Sequence, residues 1–359
     1  MNLLDNELYK DDIKQVATLE LPWEKLDGKT VMLSGATGLI GSFLIDALLY
    51  RNKHIGKNTK VVALGRSKER IYNRFGLDGD TEYFEAYAQD VNDDISDELK
   101  QVSADYILHL ASNTHPLQYS TDPIGTIITN IIGLKNMLDL ADSKKAERFV
   151  FASSVEVYGE NKGDTERFSE DYLGYIDCNT LRAGYPESKR AGEALCQAYI
   201  KQKDMDIVIA RLSRTYGPSM LKSDTKAISQ FIKKGVDKED IVLKSKGNQL
   251  YSYSYVADAV SALLYCLLFG KNGEAYNIAD PASDITLKDM AEIVAEYAGK
   301  KVVFELPDET EAAGYSKATK AMLDSFKIKT LGWKAEYDIK KGLTRTIDIL
   351  RWASVLTHP

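Results

Sequence analysis

Histidine, cysteine and proline are scarce in this 359-residue chain, with four, three and eight copies. The cysteines, Cys178, Cys196 and Cys266, are widely spaced and odd in number. They exclude a disulfide framework and suit a reducing compartment, so a cytoplasmic location is expected. The histidines, His54, His109, His115 and His358, stand at no metal-ligand spacing to the cysteines, so no metal is expected. No apolar run is long enough for a bilayer, and no basic stretch followed by an apolar core opens the chain. Neither membrane insertion nor a signal peptide is expected. Positive charge is in deficit, 46 Lys and Arg against 53 Asp and Glu, for a net charge of −7. That argues against a general nucleic-acid binder but leaves room for a local basic pocket and an anionic substrate. Repeats and low-complexity tracts are also missing, so the lobes are expected to pack as one body around a cleft.

What is present starts with Lys29-Thr-Val-Met-Leu-Ser-Gly35-Ala-Thr-Gly38-Leu-Ile-Gly41. An apolar strand runs into three glycines, and a helix-forming stretch follows. Gly35 permits a sharp turn, Gly38 lets a pyrophosphate approach the backbone, and Gly41 lets the helix lie close to the strand. The helix N-terminus then offers free N–H groups to phosphates. The motif is specific only in this strand-before, helix-after setting, which the flanks supply.

From residue 30 strands and helices alternate. Strands are expected at 30–34, 61–64, 83–89, 106–110, 148–153 and 206–211, with helices near 39–52, 67–75, 96–102, 123–142 and 182–203. The pattern predicts an α/β fold, a Rossmann-type doubly wound parallel sheet with a smaller C-terminal α/β substrate lobe. Residues 1–29 read as an extension, 30–215 as the NAD(P)-binding domain and 216–359 mainly as the substrate lobe, with 250–280 returning to the sheet. Beyond Pro218, helices are expected near 223–234, 255–269, 287–298 and 338–353, with an apolar segment at 241–244 and strands at 275–278 and 302–306.

The ends of the strands carry the chemistry, because ligands of such sheets sit there. Arg66 follows the second strand, where an acidic residue would mark NAD; it suits the 2′-phosphate of NADP or is a solvated loop residue. Asp90 closes the third strand, and His109 the fourth, where it reads as a packed residue. Ser153, Ser154 and Glu156 end the fifth. Tyr185 and Lys189 lie one helical turn apart, and a nearby cation is expected to lower the phenol's pKa and make it a general base. Tyr199/Lys203 and Tyr297/Lys301 share that spacing, so position in the fold is what singles out Tyr185.

In order along the chain stand Gly35-x-x-Gly38-x-x-Gly41, Asp90, His109-Leu-Ala, Ser154-x-Glu156-Val-Tyr-Gly, Tyr185-x-x-x-Lys189 and Arg211-x-x-x-x-Tyr216-Gly-Pro. The whole resembles an extended short-chain dehydrogenase/reductase of the NAD-dependent epimerase/dehydratase family, over roughly residues 30–350. Within it, the Ser-x-Glu-Val-Tyr-Gly and Leu181-Arg182-Ala-Gly-Tyr185 segments look most like UDP-glucuronate decarboxylases, then dTDP-glucose 4,6-dehydratases.

The resemblance implies a nucleotide-sugar enzyme that works through a 4-keto intermediate, with decarboxylation foremost and dehydration or 4-epimerisation as alternatives. It implies catalytic roles for Tyr185, Lys189, Ser154 and Glu156. Cofactor contacts fall to Gly35, Thr37, Gly38, Leu39, Ile40, Gly41, Arg66, Asp90, Val91, Leu110, Ala111 and Ser112, together with Tyr185 and Lys189. Ser154, Arg182, Arg214 and Tyr251 would bind the substrate. The cofactor is NAD by family habit, with Arg66 leaning to NADP. A homodimer is implied through the helices near 123–142 and 182–203, with Ala191, Leu195 and Ala198 either supplying a flat apolar face for it or facing the core. The chain departs from the pattern at three places. Val155 replaces a polar or acidic residue. Tyr251 stands where the family has an arginine, and Arg214 where it has an asparagine. The altered pair at 214 and 251 leaves open a catalytically decayed dinucleotide-binding module, and Arg66 leaves open an NADP-dependent reductase.

Overall fold

The strands of a computed structural model alternate apolar residues between two cores. Val31 and Leu33 of β1 (Thr30–Ser34) enter one core, and Met32 enters the other; in β2 (Lys60–Gly65) Val61 and Ala63 oppose Val62 and Leu64 in the same way. Side chains at period two point to opposite faces, so strands this apolar must be covered on both sides. The structure describes residues 2–56, 58–114, 116–305 and 318–357. His115, His358 and the expected strand end at Leu306 lie outside them.

β1 and β2 are joined by β3 (Phe84–Ala88), β4 (Tyr106–His109), β5 (Arg148–Ser154) and β6 (Ile207–Leu212). After β7 (Arg214–Tyr216), β8 (Ile241–Leu243) and β9 (Leu250–Tyr255), the chain returns as β10 (Ala275–Ile278). The main sheet is seven-stranded with order β10-β6-β5-β4-β1-β2-β3, and every pair in it is parallel. The order reverses direction between β1 and β4, the switch point at which ligands of doubly wound sheets bind.

A second sheet carries the rest of the site. β9 lies between β11 (Asp284–Thr286) and β13 (Lys320–Ala321), and β7 also pairs with β9, setting Arg214 opposite Tyr253. β12 (Val302–Phe304) pairs with β8.

Two expectations are corrected here. The helix expected over 123–142 is broken. Asp122 caps a short helix at Pro123–Ile128, a π-turn spans Thr129–Gly133, and a helix Leu134–Lys144 follows. A further short helix at Pro116–Thr121 stands before them. The helix expected near 96–102 is a single turn, Asp97–Lys100, capped by Ser96.

The N-terminal segment is built into the core. Its helix Glu7–Ala17 places Asp12 fully buried, where it accepts hydrogen bonds from Tyr255 Oη, Tyr337 Oη and Arg345 Nε, each at 2.6 Å. One acidic side chain thereby ties the first helix to β9 and to the final helix Ile339–Thr357.

Candidate active site

The glycine loop is held by close backbone approach. Gly35 has φ +74°, and a Cβ there would lie 2.9 Å from Ala111 N and from the Leu110 carbonyl carbon. A Cβ on Gly41 would overlap the Gly35 carbonyl. Both positions therefore exclude side chains. Gly38 sits at the N-cap of the helix Leu39–Ile55, and no side chain caps it. Its first N–H groups are therefore left for an anion. Ser34 Oγ accepts from the N–H groups of Leu110 and Ala111 at 3.2 and 3.3 Å and bonds His109 Nδ1 at 2.8 Å. That fixes the β4 exit against the loop. Burial, then the Lys189 charge, pushes the fully buried His109 imidazole down to about 3. It is a neutral packing residue, as its sequence position indicated.

Ser112 leads from this cradle to the reactive centre. Ser112 Oγ donates to Asn130 Oδ1 at 2.7 Å, Asn130 Nδ2 donates to Ser188 Oγ at 2.9 Å, and Ser188 Oγ donates to the Tyr185 carbonyl at 2.8 Å. Asn130 and Ser188 were not singled out from sequence. Asn130 reaches this position because it lies in the π-turn, a feature no residue pattern announces.

Tyr185, at the start of the helix Gly184–Lys203, is only 6% exposed and stacks on Tyr119 at 4.8 Å between ring centroids. Its hydroxyl is pushed up to about 12 by burial, while hydrogen bonding with Ser154 and Ser112 pulls the other way. The expected fall in its pKa is therefore reversed. The Lys189 ammonium stands 6.0 Å from the ring centroid and donates to the Ala152 carbonyl at 2.8 Å, and burial brings it down to about 7. Desolvation opposes charge on both groups, and the lysine is spent on the strand end.

Of the two serines ending β5, Ser154 faces Tyr185. Ser153 Oγ turns to Glu193 at 2.5 Å, which in turn holds Arg211 at 2.7 Å. Arg211 is thus a brace of the sheet. Glu156 lies in the short 3-10 turn Val155–Tyr158 after β5. Arg182 Nη2 donates to its Oε2 at 2.8 Å, and Arg214 Nη2 stands 3.6 Å from its Oε1. Burial alone would push the carboxyl up; the two guanidiniums more than offset that and hold it below the usual range. Each arginine is backed by a ring, Arg182 by Tyr119 at 4.6 Å and Arg214 by Tyr251 at 3.6 Å. Tyr251 Oη donates to the Ala318 carbonyl at 2.5 Å. The two departures at 214 and 251 are therefore one stacked unit.

The remaining predicted residues lie apart from this cluster. Arg66 is exposed at the end of β2. Asp90 Oδ1 accepts from Asn92 N at 3.0 Å, and Val91 is buried against Gly133. Thr37, Leu39 and Ile40 are half-buried along the loop and first turn. Tyr119 was missed because its short helix gives too few residues for a periodic signal. Among the described residues, no group of three or more His, Cys, Asp or Glu is arranged to hold a metal ion. No helix among them is long and apolar enough to cross a membrane.

The chain is similar to known proteins in sequence and in fold. UDP-glucuronic acid decarboxylase 1 of Xenopus tropicalis is 30% identical over 325 residues, covering 90% of this chain and 73% of that protein. UDP-glucuronic acid decarboxylase 3 of Arabidopsis thaliana is 32% identical over 317 residues, covering 87% of this chain and 86% of that protein. In structure, the chain is similar to the UDP-glucuronic acid 4-epimerase of Bacillus cereus in complex with UDP-glucuronic acid and NAD. The TM-score is 0.75 with 22% identity, over 90% of this chain and 99% of that one. The Rossmann-type sheet inferred from the sequence is the fold found. Residues 31–279 match the NAD dependent epimerase/dehydratase family, and with its glycine cradle, strand-end serine and buried tyrosine the chain belongs to that family of enzymes.

Proposed function

We propose that this protein binds NAD and a nucleoside-diphosphate sugar and acts through a 4-keto sugar, in the manner of a UDP-glucuronate decarboxylase. The observation that carries the reading is the burial of Tyr185 beside Ser154 and Ser112, with Ser112 anchored on the β4 exit that packs against Gly35. The side-chain-free contacts of Gly35 and Gly41 and the uncapped helix start fit a dinucleotide pyrophosphate. Gly35, Thr37, Gly38, Leu39, Ile40 and Gly41 would hold it, with Asp90, Val91 and the 110–112 segment along the rest of the molecule. Bound NAD supplies hydride acceptance at sugar C4 and the later return of that hydride.

The chain's own residues do the rest. Tyr185 Oη takes the proton of the C4 hydroxyl, and Ser154 Oγ bonds the same oxygen. Lys189 fixes the end of β5 through the Ala152 carbonyl and adds positive charge near the ring. Once C4 is a ketone, a C5 carboxylate is a β-keto acid and leaves as carbon dioxide. The match to an NAD dependent family keeps NAD ahead of NADP.

A second copy of the chain covers the apolar stripe of Ile124, Ile128 and Ile132, which are 75%, 40% and 38% exposed beside the helix Gly184–Lys203. Large exposed apolar faces of this kind mark interfaces, and a homodimer is the assembly proposed. A cytoplasmic location and a division into an extension at 1–29, a cofactor domain to about 215 and a substrate lobe beyond complete the reading.

The test is incubation of the NAD-loaded protein with UDP-glucuronate, UDP-glucose and dTDP-glucose, followed by trapping of carbon dioxide and NMR of the sugar. Carbon dioxide and a UDP-pentose from UDP-glucuronate are expected. A C4 epimer or a 4-keto-6-deoxy sugar would move the reaction to epimerisation or dehydration. Inertness toward all three, with NAD bound, would sink the enzymatic reading.

A further inference from the structure

Arg211 opens the motif Arg211-x-x-x-x-Tyr216-Gly-Pro, yet no step of the reaction uses it. It lies in a buried polar layer. Ser153 of β5, Arg211 of β6 and Asn277 of β10 stand opposite one another on three adjacent strands. Glu193 reaches this layer from the helix Gly184–Lys203. It accepts from Ser153 Oγ at 2.5 Å and from Arg211 Nε and Nη2 at 3.0 and 2.7 Å. The Arg211 and Glu193 side chains are only 14% and 13% exposed. Taking such a pair out of water is costly, and a well-packed apolar pair often serves stability as well. Stability alone is therefore a poor reason for an ion pair here.

The geometry supplies another. Tyr185, Lys189 and Glu193 are spaced four apart and share one face of their helix. They grip three consecutive residues of β5. Tyr185 bonds Ser154, Lys189 donates to the Ala152 carbonyl, and Glu193 accepts from Ser153. The helix comes this close at Gly192, where a Cβ would lie 2.9 Å from the Phe151 ring. Neighbouring strand residues point to opposite faces, and Ser153 and Ser154 carry the same hydroxyl. Which of them meets Tyr185 is decided by the partner that takes the other. Glu193 takes Ser153. Ser154 is left to Tyr185 and to the Glu156 N–H, from which its Oγ accepts at 3.2 Å. Arg211 holds the far end of the same turn. Its Nη1 donates to Tyr158 Oη and to the Glu170 carbonyl, both at 2.8 Å, and Tyr158 Oη donates to Asn277 Oδ1 at 2.7 Å.

We infer that Glu193 and Arg211 are positioning residues of the reaction: through Ser153 and Tyr158 they hold both ends of the turn after β5 and keep Ser154 aimed at Tyr185. They act through Ser154 rather than on the sugar. The inference rests on the reading of Ser154 and Tyr185 as the pair that bonds the C4 oxygen, and it adds the residues that set that pair.

The cleanest variant is Ser153→Ala, which cuts the link to the strand end and leaves the Glu193–Arg211 pair whole. With UDP-glucuronate as substrate, kcat is expected to fall about tenfold or more, the scale of a small misplacement of a reacting group, with KM and NAD affinity within about twofold of wild type. Ser153→Thr keeps the hydroxyl and should restore kcat. Ser153→Ala placed on Ser154→Ala should add no further loss, because its effect runs through Ser154. Arg211→Lys keeps a cation beside Glu193 but loses the fork to Tyr158 and Glu170, and the same fall in kcat is expected. A purely structural role would lower the melting temperature and leave kcat of the folded protein unaltered, or would add its loss in full to that of Ser154→Ala; either result overturns the inference. Crystal structures of the wild type and Ser153→Ala give a readout that needs no substrate. The separation of Ser154 Oγ from Tyr185 Oη should widen in the variant, and an unchanged separation overturns the inference. Should the wild type turn over no nucleotide-sugar, the proposed function fails, and that separation still decides the positioning role.

Discussion

At Tyr185 the protein holds a phenol protonated: burial raises its pKa to about 12, and Lys189, bonded to a carbonyl, does not undo that. To take the proton of the C4 hydroxyl, the phenol must first lose its own, so the base form requires nearby positive charge that offsets burial. Oxidised nicotinamide carries a positive charge that favours the same loss. Replacement Tyr185→Phe removes the acceptor and keeps the stacking on Tyr119. The expected result is a drop in kcat of about 10²–10⁴-fold with NAD affinity unchanged, read by steady-state rates and cofactor titration. An unaltered kcat would remove Tyr185 from the chemistry. Nearby, Glu156 is kept ionised by two arginines, so it cannot serve as a proton donor near neutral pH.

Among the elements, the helix Leu39–Ile55 owes its place to glycine. Its first turn lies so near β1 that a Cβ at Gly41 would sit 3.1 Å from the Gly35 carbonyl carbon and closer still to its oxygen. Gly41→Ala must push the helix start away from the loop. A loss of about 1–3 kcal/mol in stability is expected from such overpacking, with weaker NAD binding, measured by thermal melts and titration. Gly79→Ala, where the added Cβ meets nothing within 4 Å, is the control and should be silent. The π-turn at Thr129–Gly133 is the second such element. One wider turn sets Asn130 between Ser112 and Ser188, where it supports the Tyr185 backbone from beneath.

For the whole molecule, buried carboxyls join segments remote in sequence. Asp258 accepts from the N–H groups of Glu336 and Tyr337 at 2.8 and 3.1 Å, and Asp12 links the first and last helices. Burial pushes Asp258 up to about 7, against an ordinary value of 3.8. The folded protein therefore holds a proton at pH 5–6 that the unfolded chain has released. Stability from this group is complete below about pH 4 and is lost as pH rises through about 7, by about 4 kcal/mol at most. Burial likewise raises Asp12, Asp46, Glu170 and Asp284, in the same sense. Melting temperature is expected to fall from pH 5 to pH 8, and Asp258→Asn to flatten that slope. A melting temperature that climbs over this range would refute the assignment.

The main sheet was legible because its strands are local: each apolar run, with its two faces, is written in consecutive residues. The glycine loop was legible for the same reason, since a turn, a close approach and a helix start all fall within seven positions. The second sheet was harder. The alternation Tyr251-Ser-Tyr253-Ser-Tyr255 is itself a strand signal, yet the partners of β9 come from residues 214–216, 284–286 and 320–321, and nothing local names them. The sequence determined by itself the alternating α/β order, the dinucleotide cradle and the presence of a serine, a tyrosine and a lysine at strand and helix ends. Only the tertiary structure decided the electrostatics: that Lys189 is spent on a carbonyl, that Tyr185 is driven up rather than down, and that Arg214 lies on Tyr251. Charge states and stacking depend on burial and on partners dozens of residues apart, and these exist only once the two sheets have closed on each other.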